Sequence, residues 1–236
     1  MRSSSGRVIE IQLDQQGDPG AWIACPPGAV PTPGQYLFAH DPDDQDSPLA
    51  VPLFQADILE DSFLCAPPIP RSGEPGTRLE FWGPLGHGFH LPAALQRLAC
   101  AAVGSSMARL LPLVKVGLSQ GAAVVLFTDL PIPSLSSAVE VQPLSALPDN
   151  LYWPDFLALD LPAEQLPGLR STLRINSSDV IPYPVQALLL TSMPCGGIAE
   201  CGVCALPTRS APSRGGVRWK LACKDGPVFD LKELEW

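Results

Sequence analysis

The chain has 236 residues, 46% of them hydrophobic, which is enough for one large or two small domains with a sizeable core plus a short further segment. Its formal net charge of −9 argues against nucleic acid and anionic membranes as partners. The opening stretch MRSSSGRVIEIQLDQ lacks an apolar signal region, and no uninterrupted apolar run approaches the ~20 residues of a membrane span, so the expectation is a soluble cytoplasmic protein.

Residues 1–92 read as β. Gly6–Asp14 alternates, and Ala21–Cys25, Gln35–His40, Leu49–Ile58, Ser62–Ala66 and Arg78–Trp82 are further short strands. Pro/Gly turns separate them at Pro26-Pro27, Pro33-Gly34, Pro67-Pro68 and Pro75-Gly76. Six short strands with turn signals at this spacing predict a small antiparallel β-barrel. The acidic loop Asp41–Asp46 contains metal-ligand residue types but reads as a solvated hairpin tip.

Residues 93–191 change character and predict a Rossmann-like α/β domain with a parallel sheet. Leu98–Ala102 is an apolar strand, followed by the turn Val103-Gly104-Ser105-Ser106. Met107–Ser119 has helical spacing in Met107, Leu110, Leu111, Val114 and Leu118, with Pro112 expected to interrupt or kink it. Ala122–Thr128, Val139–Val141, Phe156–Leu161 and Ala187–Thr191 supply further strands. The turn at Gly104 is where such a fold would cradle a pyrophosphate. That task wants several glycines, and only Gly104 is present, so a plain strand-to-helix turn outweighs dinucleotide binding.

Residues 192–236 carry four of the seven cysteines, Cys195, Cys201, Cys204 and Cys223, spaced C-x5-C-x2-C-x18-C. Plant-type [2Fe–2S] ferredoxins use C-x4-C-x2-C and a distant fourth Cys, one residue shorter in the first gap. Each iron of such a cluster takes two thiolates, and Gly196, Gly197 and Gly202 let the backbone turn tightly so that N–H groups face sulfur. Two blander readings stand beside this one. A structural zinc site wants two knuckles or Cys/His mixtures, and only Cys201–Cys204 makes a knuckle. Disulfides belong to oxidising compartments, which nothing here suggests. Cys25, Cys65 and Cys100 lie in apolar contexts and read as buried free thiols.

Local motifs then tie the chain to a known family. Pro33-Gly34-Gln35-Tyr36 resembles a barrel-strand P-G-Q-[FY]. Gly83-Pro84-Leu85-Gly86-His87-Gly88-Phe89 is similar to G-P-L-G-N-G-F. Cys223-Lys224-Asp225-Gly226-Pro227-Val228-Phe229 resembles the segment around a last cluster ligand. Together, and in this order, they resemble the electron-transfer subunit of the NAD-linked dihydroorotate dehydrogenase, of the ferredoxin-reductase superfamily. The resemblance implies FAD and nucleotide contacts at Pro52 and Gly104, and cluster ligands at Cys195, Cys201, Cys204 and Cys223. The sequence departs from the family where those cofactors meet the protein. The family's R-P-x-S stretch is Val51-Pro52-Leu53-Phe54 here, without the charge or the hydroxyl, and the glycine-rich turn is reduced to Gly104. FAD is therefore expected to bind weakly or not at all.

The reading that follows is an electron-transfer protein with one [2Fe–2S] cluster, working as an oxidoreductase subunit rather than a stand-alone catalyst. Its partner is a catalytic dehydrogenase subunit or another redox protein, and it passes electrons between that partner and a flavin/NAD-linked dehydrogenase, by resemblance one of pyrimidine biosynthesis. The alternatives are a cluster-only relay or scaffold that has lost FAD and NAD binding, and a zinc-stabilised interaction protein. No residue looks like a general acid or base, and His87 and His90 read as structural. Residues 209–224 hold Arg209, Arg214, Arg218, Lys220 and Lys224 without Asp or Glu, which reads either as a solvated loop or as a positive collar beside the cluster, with Trp219 as a cover. The 28 prolines and two asparagines lean toward warm adaptation.

Overall fold

Strands that alternate at period two between Pro/Gly turns can close on themselves and so remove their own edges. The computed structural model describes residues 3–13, 17–46, 49–70, 73–104, 106–132, 134–176, 179–209 and 218–236. In it, β1 (Ser3–Leu13), β2 (Pro19–Ala24), β3 (Tyr36–His40), β4 (Val51–Leu59), β5 (Ser62–Ala66) and β6 (Arg78–Leu85) form a closed barrel. Every neighbouring pair is antiparallel, in the order β1-β2-β5-β4-β3-β6. Val8, Ile23, Leu37, Leu53, Phe63 and Phe81 fill its interior.

Strand β3 is buried on both faces. Leu37 points into the barrel, while Tyr36 and Phe38 join a second core outside it, with Phe54 from β4. Both aromatic side chains are fully buried, each contributing about 1.5–3 kcal/mol relative to an exposed ring. A barrel strand with one face free would be polar on alternate residues. The run Y-L-F-A is apolar throughout because something packs on its outside.

The second unit contains β7 (Arg97–Ala102), α1 (Leu111–Ser119), β8 (Ala123–Phe127), β9 (Val139–Gln142), β10 (Phe156–Pro162), α2 (Leu169–Thr172) and β11 (Val185–Leu190). These strands pair in parallel in the order β9-β8-β7-β10-β11. The central strands β7 and β10 are almost wholly buried, as expected for a parallel sheet covered on both faces. Helix α1 begins at Leu111, after a 3-10 turn over Ala108–Leu110, rather than at Met107. Pro112 thus stands in the first helical turn, where its missing N–H costs nothing, and the expected kink does not arise.

After β11 the chain forms a loop, a hairpin of β12 (Ala205–Thr208) and β13 (Arg218–Leu221), the short helix α3 (Ala222–Asp225) and β14 (Val228–Asp230). Strand β14 returns to the sheet and pairs antiparallel with β11. The C-terminal segment is therefore clamped at both ends to the α/β sheet. Among the described residues no helix is long and apolar enough to cross a membrane.

Candidate metal centre

The loop between β11 and β12 turns because its residues permit left-handed backbone. Gly196, Gly197, Ala199 and Gly202 all have positive φ, between 63° and 83°. The result is a run of amide groups aimed inward. The N–H groups of Ala199, Glu200 and Cys201 point to the Cys195 sulfur, and that of Ala199 also serves Cys223. Cys204 and Cys223 stand at the root of the hairpin, where Ala222 N–H donates to the Cys204 carbonyl over 3.0 Å. Asp225 Oδ2 accepts from Leu221 N–H at 2.8 Å and fixes the turn that presents Cys223.

Side-chain contact joins Cys195 with Cys201 and Cys204 with Cys223, while among the described residues no three metal-ligating side chains are yet drawn together around one point. Burial alone would raise the Cys195 thiol, but the Cys201 side chain and the three N–H groups outweigh it and bring it to about 6. Burial, the Cys204 side chain and the neighbouring charges of Cys204 and Cys195 push Cys223 up to about 12. Cys204 and Cys223 are buried, Cys195 is half-buried and Cys201 is exposed, so the centre is closed on one side and open on the other.

The closed side is the barrel. Tyr36 Oη donates to the Cys223 carbonyl at 2.7 Å, and Trp82 Nε1 donates to the Gly196 carbonyl at 2.9 Å. Burial, then the charges of Cys223, Cys204 and Cys195, raise the Tyr36 phenol well above its ordinary value. Phe38 stacks on Trp82 at 5.8 Å and meets Tyr36 edge-on at 5.2 Å. Gly197 lies so close to this floor that an added Cβ would sit 2.8 Å from Phe38, and its φ of 83° is itself a glycine conformation. His87 N–H donates to the Gly226 carbonyl at 2.5 Å, and its Nδ1 lies 3.0 Å from the Asp225 carbonyl, a structural role in the turn after α3. His90 N–H donates to Gln186 Oε1.

The other candidate residues lie elsewhere. Pro52 is half-buried in β4, opposite Phe38 of β3. Beside it, Phe54 is buried against Tyr36, with ring centroids 5.6 Å apart. The position at which the resemblance places a hydroxyl toward flavin thus holds a ring built into the core. Gly104 follows β7 at the point where the strand order reverses between β7 and β10, where α/β folds bind nucleotides. At the turn itself the backbone is tightly packed. An added Cβ at Gly104 would be 3.1 Å from Pro162, and Val103 N–H donates to the Asp160 carbonyl. Arg109 donates to both Asp160 carboxylate oxygens and to the Pro67 carbonyl of the barrel. Arg109 and Asp160 are 2% and 0% exposed. The residues present fit neither a flavin nor a dinucleotide at these places.

All seven cysteines are free, and Cys25, Cys65 and Cys100 are buried apart from this centre. Of the basic segment, Arg214 lies outside the described residues. Lys220 is paired with Glu233 at 2.7 Å, and Trp219 is 61% exposed, an outward-facing side chain rather than a cover. Sequence reasoning missed the aromatic floor and the Arg109–Asp160 pair. One signal for the pair was present: a lone Asp in the apolar strand F-L-A-L-D-L needs a partner if it is buried.

Residues 191–235 match the model of the iron-sulfur cluster binding domain of dihydroorotate dehydrogenase B. No curated protein matches the chain. Among solved structures, the chain is similar to an NADH-dependent reduced ferredoxin-NADP oxidoreductase studied for flavin-based electron bifurcation. The two are 18% identical with a TM-score of 0.70, over 98% of this chain and 89% of the other. It is similar to a ferredoxin NADP+ reductase from Neisseria gonorrhoeae with bound FAD and NADP, at 11% identity and TM-score 0.55, over 80% and 99% of the two chains. It is also similar to the ferredoxin reductase of carbazole 1,9a-dioxygenase, at 16% identity and TM-score 0.53, spanning 73% of this chain and 62% of that one. The chain has the ferredoxin-reductase-like fold, with barrel, parallel α/β sheet and C-terminal iron–sulfur domain in that order.

Proposed function

We propose that the chain is a one-electron relay holding a [2Fe–2S] cluster on Cys195, Cys201, Cys204 and Cys223, and that it works without flavin or nicotinamide nucleotide. The observation that carries this is the match of residues 191–235, which hold all four cysteines, to an iron-sulfur cluster binding domain. The contacts of Cys195 with Cys201 and of Cys204 with Cys223 are consistent with two thiolates for each of two irons. A single zinc ion would ask for one tetrahedral set instead.

When bound, such a cluster takes up and releases one electron at a time. The chain's own residues do the rest. The N–H groups of Ala199, Glu200 and Cys201 face sulfur and favour negative charge there. Tyr36, Phe38 and Trp82 exclude water from the barrel side, and Tyr36 and Trp82 hold the two ligand segments by hydrogen bonds. The exposed Cys201 side is left for electron entry and exit. A catalytic dehydrogenase subunit or another redox protein supplies or receives the electron. With Phe54 in the flavin position and Gly104 packed against Pro162 at the nucleotide turn, the barrel and sheet serve as scaffold.

The test is anaerobic purification followed by metal analysis, visible spectroscopy and acid extraction of flavin. About two irons and two sulfides per chain, a rhombic signal on reduction and no stoichiometric flavin are expected. Stoichiometric FAD would restore a flavin-linked reading, and a colourless protein with one zinc would replace both.

A further inference from the structure

Beside the cysteine centre the β12–β13 hairpin carries an open depression of about 510 Å³, lined by Arg209, Arg218, Trp219, Lys220 and Glu233 among others. We infer that this depression docks an acidic one-electron carrier protein. The inference rests on the relay function proposed above and names the chemistry of its partner.

Composition points to an interface. Trp219 is 61% exposed, a large ring that folding does not bury. Strand β13 sends it outward opposite Pro207, while Leu206 of the same hairpin enters the core. A surface Trp beside an arginine, here Arg218, has the make-up of an interface hot spot. Ile198 and Val203, on either side of exposed Cys201 in the loop, are themselves 53% and 55% exposed and add apolar surface at the open side of the centre.

Charge selects the partner. The depression is lined by Arg209, Arg218 and Lys220 against Asp225 and Glu233, within a protein of net charge −9. The acids that do face the depression are engaged internally. Glu233 pairs with Lys220, and Asp225 accepts from Leu221 N–H. Arg209 donates its Nε–H to the Leu234 carbonyl and makes no ion pair among the described residues. Arg218 makes no ion pair among the described residues, and Lys224, next to Cys223, is exposed. A local positive field on an otherwise acidic molecule attracts and orients an acidic protein at one place only.

Position completes the case. Trp219 stands four residues before Cys223 and Arg209 five after Cys204, on strands whose root holds both sulfurs. At about 3.3 Å per strand residue the depression begins within ~13 Å of the centre. A carrier seated there lies next to the hairpin root that holds Cys204 and Cys223.

The test uses the full chain, with an acidic plant-type ferredoxin and a basic c-type cytochrome as probes. Stopped-flow electron exchange with the ferredoxin should be fast at low salt and fall steeply as salt rises. The variant R209Q/R218Q/W219A should lose on the order of ten-fold in that rate and most of its salt dependence. Its visible spectrum and its reduction by dithionite should stay unchanged. R218Q/W219A, which spares the Arg209–Leu234 contact, should show the same trend. An unchanged ferredoxin rate in either spectrally intact variant, or a wild-type preference for the basic cytochrome, would overturn the inference. Calorimetric titration of ferredoxin into wild type and variant reads docking without any electron transfer. If the purified chain lacks a cluster, the relay function fails while the docking surface still stands or falls by that titration.

Discussion

Tyr36 donates its phenolic hydrogen to the carbonyl of Cys223 across 2.7 Å, joining two residues 187 positions apart in the chain. Both are buried, and the bond links the first barrel face to the last cysteine. Tyr36→Phe keeps the ring and removes only the donor. The buried carbonyl is then left unsatisfied, at a cost of about 1–3 kcal/mol. The positive end of the O–H bond also leaves the neighbourhood of the sulfurs. We therefore predict a lower thermal midpoint and a lower reduction potential for Tyr36→Phe, by calorimetry and voltammetry. A potential equal to wild type would reduce Tyr36 to a packing residue.

Replacing any one of Cys195, Cys201, Cys204 or Cys223 by Ser should bleach or strongly alter the visible absorption and the reduced-state EPR signal. Cys25, Cys65 and Cys100 lie in the barrel and sheet cores, and their substitution should leave the spectrum intact. The reverse pattern would refute the ligand assignment.

Cluster removal should loosen the molecule locally. The loop from Met193 to Cys204 and the turn at Ala222–Asp225 have little regular structure of their own, so metal binding supplies much of their folding free energy. Hydrogen exchange should show lost protection there after treatment with acid and chelator. Strands β5, β7 and β10 should keep theirs, because each has a second face packed into a core that holds no ligand cysteine. Uniform loss of protection would mean that the whole fold depends on the cluster.

The barrel strands, the parallel sheet and the four-cysteine segment were legible because each follows a local rule: period two, apolar runs between helical stretches, and cysteine spacing. What was not legible depends on long-range contact. Nothing in Y-L-F-A says that its outward face will meet a loop from residues 195–197, yet that contact is the floor of the centre. Strand β14 is only Val228-Phe229-Asp230, too short for any periodicity, and is fixed by its pairing with β11. Pro112 misled because the helix start was set one turn early, and a proline that would kink an interior instead opens the helix.

The buried thiols give a pH prediction. Burial pushes Cys25 up to about 11 and Cys65 and Cys100 up to about 12, from an ordinary value of 9.0. Their folded values exceed the unfolded one, so folding holds the proton on. The stability this adds is fully present below pH 9.0 and is lost as pH rises toward the folded values. The urea midpoint should thus fall on the alkaline side of neutrality, and these thiols should resist iodoacetamide in the native protein but react after denaturation. Rapid alkylation of native Cys100 near neutral pH would contradict the packing.

Arg109 and Asp160 form a buried pair, and Arg109 also ties the sheet to the barrel through the Pro67 carbonyl. Burial raises the Asp160 carboxyl, and Arg109 draws it back toward ionisation. Such a pair is costly to break and cheap to replace. Arg109→Met leaves a carboxylate alone in the core and should cost about 3–5 kcal/mol. The double change Arg109→Met with Asp160→Leu removes both charges and should recover most of that loss, read as the chemical-denaturation midpoint. If the α/β sheet is scaffold alone, excess NADH should leave the wild-type thermal midpoint unmoved, since a ligand that binds the native state must raise it. A clear NADH-dependent rise would show that the nucleotide binds, and the scaffold role assigned to the α/β sheet would have to be given up.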